Sequence, residues 1–169
     1  VAFSDPELTS GTTVTGATIT GSTLDSTSKI ASNVSSGFTT AMQGATIATT
    51  STSDVYTIAQ ASGSLLAGYF SGVDALATSD SNYITFTITN LGQTGSGTAA
   101  MLAATDPNTT KATGGTAIAA NAVRSLTING TAANLVVVVG DRLRIRASAT
   151  GTLANTVTFP VYRLNFTVS

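Results

Sequence analysis

The chain has 169 residues, 42% of them hydrophobic, and a net charge of −1. That length supports one domain, or one domain plus an arm. Only 9% of the residues are charged, against roughly 25% in an ordinary globular protein, so the surface must be covered by hydroxyls or buried against other subunits. Cys, His and Trp are absent, which excludes a disulfide framework, thiol chemistry and a histidine base.

Thr and Ser supply 52 of the residues. Thr favours pleated, half-buried positions and Ser favours turns, so the balance predicts an all-β chain. The first residues lack a basic region followed by an apolar stretch, so no signal peptide is expected. Residues 5–7 could start one helical turn, Asp5-Pro6-Glu7, and no more.

An internal repeat follows. Gly11-Thr-Thr-Val14-Thr, Gly16-Ala-Thr-Ile19-Thr and Gly21-Ser-Thr-Leu24-Asp share Gly, a small residue, Thr, an aliphatic and a polar residue, with a period of five. One aliphatic in five cannot form a core alone, but it can when several copies wind or stack together. The repeat reads as an extended arm over 1–50 that packs Val14, Ile19 and Leu24 on neighbouring chains; a flexible Thr/Gly-rich arm is the plainer reading. Between residues 26 and 54, Ile30, Val34, Phe38 and Met42 recur every four residues. That spacing would suit a helical stripe, but the intervening Ser, Thr and Gly37 favour a linker or extended strands.

A β-sandwich is expected over 51–169. Its clearest strand lies at 81–90, Ser-Asn-Tyr-Ile-Thr-Phe-Thr-Ile-Thr-Asn. Tyr83, Thr85, Thr87 and Thr89 fall on one face, and Ile84, Phe86 and Ile88 on the other. Further strands are predicted at 55–60, 65–73, 99–104, 124–129, 135–139, 142–149, 157–159 and 162–168, the run at 135–139 with apolar core character. Turn residues separate them: Gly63, Gly92, Asp106-Pro107-Asn108, Gly114-Gly115, Asn129-Gly130, Gly140-Asp141 and Gly151. About eight short strands with such punctuation indicate a jelly-roll-like antiparallel sandwich. Gly140-Asp141 has the strongest hairpin-turn chemistry.

Arg142, Arg144 and Arg146 alternate with Leu143, Ile145 and Ala147. The arginines therefore share an outer face, readable as a docking surface for an acidic partner subunit or as a solvated face. Nucleic acid fits less well, because net charge is not positive and no aromatic residue interleaves with the arginines. The carboxylates sit mostly in predicted turns, where Asp is a local hydrogen-bonding residue. Asp74 and Asp80, with Asn82 near, are the one pair that could meet as hydrolytic or calcium-binding oxygens, and turn capping is the stronger reading. No catalytic residue, cofactor site or metal site is expected.

Several segments resemble bacteriophage virion proteins, small β-sandwich or jelly-roll proteins of capsid decoration and of head or tail fibres. They are the 81–90 strand, Leu-Ala-Ala-Thr-Asp-Pro-Asn-Thr-Thr-Lys-Ala-Thr-Gly-Gly at 102–115, Val-Gly-Asp-Arg-Leu at 139–143, and Ala-Thr-Gly-Thr-Leu-Ala-Asn-Thr-Val at 149–157. The period-five repeat is similar to those of fibre shafts and arms on trimeric phage proteins. The resemblance implies a non-enzymatic virion component, a homotrimer on the capsid surface that contacts the major capsid protein and is assembled in the host cytoplasm. It implies either a decoration (cement) protein or a fibre module that recognises host-surface glycans, with loops 90–97 and 106–115 forming the tip. A glycan depolymerase resting on Asp74 and Asp80 is the lowest-ranked alternative.

Overall fold

A computed structural model describes residues 37–168. Nine strands follow in order: β1 (Gly37–Gln43), β2 (Thr52–Ile58), β3 (Gly63–Ser71), β4 (Tyr83–Asn90), β5 (Ala99–Ala100), β6 (Val123–Leu126), β7 (Val136–Val137), β8 (Arg142–Thr150) and β9 (Val161–Val168). Single 3-10 turns occur at Asp106–Asn108 and Ala132–Leu135. One sheet has the order β1-β9-β3-β6, with β7 beside another part of β3; the second has the order β2-β8-β4-β5. Every pairing between these strands is antiparallel. The domain is therefore all-β, built from two antiparallel sheets that share one core.

Period-two alternation explains the core. Ile84, Phe86 and Ile88 of β4 and Leu143, Ile145 and Ala147 of β8 are buried from one sheet. Leu65 and Phe70 of β3 and Tyr162, Leu164 and Phe166 of β9 are buried from the other. Phe70 meets Phe86 across the sheets with ring centres 4.6 Å apart. Each such apolar side chain contributes about 1.5–3 kcal/mol when fully buried. On β3 the register shifts between Leu65 and Ala67. Leu66 faces outward, 60% exposed, and the extra residue resets the alternation after it, so that Gly68 and Phe70 face the core.

The sheet begins upstream of the boundary expected at residue 51. Strand β1 pairs with β9 along its whole length, Phe38 stacks on Phe166 at 4.6 Å, and Ile47 is fully buried. A spacing of four is even, so Phe38 and Met42 share a strand face as readily as a helix face. Both pack against the core from β1. Val14, Ile19, Leu24 and the period-five repeat lie outside the described residues.

Three other expectations change. Residues 135–139 form a core strand only in part: Val136–Val137 is extended, Val137 is buried in the core and Leu135 packs against it, but Val136, Val138 and Val139 are about half exposed. Gly140-Asp141 does form a tight turn, with the Asp141 N–H donating to the Val138 carbonyl at 2.9 Å and Gly140 at φ +89°. It is not a hairpin, since β7 and β8 belong to different sheets. Residues 99–104 give a two-residue strand, continued by an isolated bridge from Leu102 to Ile128; Ala fills a pleated face too poorly to extend it.

Candidate functional site

The outward face of the second sheet carries the arginine ladder. Across the strands, Tyr56 lies opposite Arg144 and Arg144 opposite Thr89; Asp54 lies opposite Arg146 and Arg146 opposite Thr87. The predicted alternation holds, with Leu143, Ile145 and Ala147 buried beneath. The three arginines nevertheless play three different parts.

Arg146 is consumed within the chain. Its Nε and Nη2 donate to the two carboxylate oxygens of Asp54, each at 2.7 Å. The hydrogen bond from Arg146 holds the Asp54 carboxyl below its usual range against the opposing effect of burial, and Arg144 adds a weaker pull by its charge. Arg142 lies over the Tyr56 ring at 4.3 Å. Arg144 is half-buried, and its Nε is buried with no hydrogen-bond partner among the described residues.

Beside Arg144 and Arg146 lies a groove of ≈ 570 Å³. Thr85, Thr87 and Thr89 floor it with the two arginines; Leu102, Ala103 and Asp106 belong to one wall, and Tyr83 and Lys111 close one end. Lys111 Nζ donates to Asp106 Oδ1 at 3.2 Å and lies 5.1 Å from the Tyr83 ring centre. The hydrogen bond from Lys111 to Asp106 keeps the ammonium firmly protonated. Of the three cations in the groove, Arg144 is the one that has no carboxylate partner among the described residues.

The groove wall is held from inside the sandwich. Arg124 of β6 points inward, 9% exposed, and donates to the carbonyls of Thr116, Pro107 and Thr109 at 2.8, 2.6 and 2.7 Å. Asn108, also buried, donates to the carbonyls of Ala103 and Thr127 and accepts from the Thr127 N–H. Neither residue stood out in the sequence. The available signal was parity: Arg124 shares its strand face with Leu126, so one of them facing the core places the other there too.

Asp74 and Asp80 are not a working pair. Asp74 accepts from the Thr158 N–H and hydroxyl, and Asp80 from the Thr113 N–H and hydroxyl. These hydrogen bonds hold both carboxyls below their usual range, the reverse of what a general acid needs. Asn82 accepts from the Thr152 N–H. Asp141 caps its turn, accepting from Asn90 at 2.8 Å and the Val138 N–H at 2.9 Å. Among the described residues no three carboxylates gather where they could share a metal ion.

The two loops expected to form one tip lie at opposite ends of β4. Thr110 donates its N–H to the Ile84 carbonyl at one end, while Leu91 donates to the Arg142 carbonyl at the other. Eight residues of strand separate them, about 24 Å at ~3.4 Å per residue. The end bearing Leu91 also carries exposed aliphatics: Ile58 at 62%, Val138 at 48% and Val139 at 53%. Hydrogen bonds from Gln93 to the Val139 carbonyl and from the Gly140 N–H to the Ala59 carbonyl gather these residues.

No family model matches the chain, and neither a curated protein nor a solved structure is similar to it.

Proposed function

We propose that the chain is a structural virion protein, a capsid decoration or cement protein that stabilises the head by bridging subunits of the major capsid protein. Its fold reads as a jelly roll. Set aside the two-residue β7 and renumber in chain order, and the eight remaining strands stand in the orders 1-8-3-6 and 2-7-4-5, two nested Greek keys. Such sandwiches serve in capsids and in lectins, so the order supports the architecture and leaves the role to the surface.

The observation that carries the role is the uncovered aliphatic end. Ile58, Val138 and Val139 are about half exposed or more, on a chain with few charges to keep copies apart. Apolar patches of this kind on a folded domain serve contacts with other proteins. In this reading the aliphatic end joins copies into a homotrimer, the arm aliphatics Val14, Ile19 and Leu24 pack on capsid subunits, and Arg142 with Arg144 docks on acidic groups. The mechanism is mechanical: apolar area covered across several subunits adds about 25 cal/mol per Å² before ordering costs. The protein transforms no molecule.

Copy number per particle, counted by quantitative mass spectrometry of purified virions, tests this. Hundreds of copies support decoration; a few or a few dozen support a fibre. A solution monomer that leaves particles unbound would sink both the trimer and the clamp.

A second reading, a head or tail fibre module recognising host-surface glycans, is favoured by one observation. The groove on the second sheet is a ligand-sized concavity floored by hydroxyls. A depolymerase gains no support, since Asp74 and Asp80 are each tied to their own loop.

A further inference from the structure

We infer that the groove on the outer face of the second sheet binds a saccharide bearing a carboxylate, with Arg144 as the residue that takes the acid. This rests on the glycan-recognition reading and names the ligand class.

Arg144 is a half-buried cation that the described chain leaves unanswered. Asp54 is close enough to feel its charge, but both Asp54 oxygens are taken by Arg146. Holding a guanidinium partly out of water without an acceptor is costly. A ligand carboxylate, accepting two parallel N–H bonds, is the group whose geometry matches that fork.

The rest of the groove selects a polyhydroxylated molecule. The Thr85, Thr87 and Thr89 hydroxyls stand in a row at alternate positions of β4, ~7 Å apart. None has a hydrogen-bond partner among the described residues, and each can donate and accept. Sugar hydroxyls need that ambivalence. β8 pairs with β4 along its whole length on one side; on the other, β5 covers Thr89 and Asn90, and Thr110 and Met101 donate to the Ile84 and Ile88 carbonyls. A peptide therefore finds little continuous strand edge there to extend. Ala100, Ala103 and Ala104 offer an apolar side for the C–H face of a sugar ring. The volume, ≈ 570 Å³, lies within the ~300–1,000 Å³ of small-molecule sites. Arg124 ties down the 107–116 segment that carries Lys111, so the end of the groove is formed before a ligand arrives.

Calorimetric titration of the full chain tests this, using trigalacturonate and sialyllactose, their neutral counterparts galactotriose and lactose, and hexaglutamate as a peptide control. At least one acidic sugar is expected to bind, about tenfold or more tighter than its neutral counterpart. Arg144→Gln should lose that advantage, as removal of a charge-assisted pair predicts, while Arg142→Gln keeps it. Thr87→Val, which leaves every arginine in place, should weaken both acidic and neutral sugars. The inference is overturned if neither acidic sugar binds, if Arg144→Gln binds as tightly as the parent, or if hexaglutamate binds more tightly than either sugar. Copy number decides the role in the virion and titration decides the groove, so either can fail alone.

Discussion

The guanidinium carbon of Arg124 sits 5.2 Å from the centre of the Phe86 ring. A cation from β6 in one sheet thus rests on an aromatic face from β4 in the other. Desolvation weakens its hold on the proton, yet an arginine stays charged in proteins. Its charge is answered by three carbonyl dipoles and a ring quadrupole rather than by a carboxylate. The arrangement couples the core to the loop that bounds the groove.

Arg124→Met should therefore lower stability by about 3 kcal/mol, since one buried and two part-buried carbonyls lose a charged donor. Arg124→Lys should recover little of it, because an ammonium lacks the planar fork that reaches Pro107, Thr109 and Thr116 together. Urea denaturation with an unchanged m-value checks this; a loss below ~1 kcal/mol for the Met variant would refute the coupling.

Tyr162→Phe should be neutral or stabilising by up to about 1 kcal/mol. The Tyr162 hydroxyl is buried with no partner among the described residues, so removing it also removes a desolvation penalty. Burial pushes the Tyr162 pKa up. A raised folded pKa means stability is complete below the unfolded value near 10.0 and falls as pH rises above it. Thermal melts from pH 8 to 11 should show that alkaline loss reduced in the Phe variant.

Acid should destabilise the fold in a defined window. Asp54, Asp74 and Asp80 all have folded pKa values below the ordinary 3.8, chiefly through hydrogen bonds from Arg146, Thr158 and Thr113 respectively. Depressed carboxylates stabilise above the unfolded pKa, and that contribution is lost as pH falls through the folded value. Stability should hold down to about pH 4 and drop below it. Asp54→Asn should flatten part of the drop, and an unchanged acid limb in that variant would remove the Arg146 pair as a cause.

Two truncations should behave differently. Loss of residues 1–33 leaves β1 and Ile47 in place, and the chain should keep a cooperative melt while losing its hold on particles. Loss of residues 1–50 removes β1, uncovers the β9 edge and deletes Phe38, Met42 and Ile47 from the core. At about 2–5 kcal/mol for each large apolar group lost, that protein should fail to fold. A folded 51–169 fragment would contradict the first sheet as described.

Phe159 combines a φ of +46° with 62% exposure. A bulky side chain in the left-handed region costs roughly 1–2 kcal/mol, and an exposed ring regains little of it. Phe159→Gly should raise the melting temperature. If it also lowers particle occupancy, the ring is kept for a contact.

Parity within long strands was legible from residues alone. Strands β4 and β8 carry five or more alternating residues, and their inner faces, Ile84-Phe86-Ile88 and Leu143-Ile145-Ala147, are the ones alternation predicts. Short or bulged segments were not. The bulge of β3 against β9 resets which residues after Leu66 face inward, and in the aliphatic run at 135–139 Val137 is buried while Val136, Val138 and Val139 stay about half exposed. The Asp54–Arg146 pair joins residues 92 positions apart, which no local pattern announces.

What the sequence by itself determined is an all-β chain and the inward face of its long strands, since β-branching and a period of two act over a few neighbouring residues. Only the tertiary structure decided which sheet each strand joins, that loops 90–97 and 106–115 sit at opposite ends, that Arg124 is a core residue and that, of the cations in the groove, Arg144 has no carboxylate partner among the described residues. Each of these depends on what packs opposite, and partners as far apart as Thr39 and Asn165, 126 positions in sequence, meet only when both sheets close.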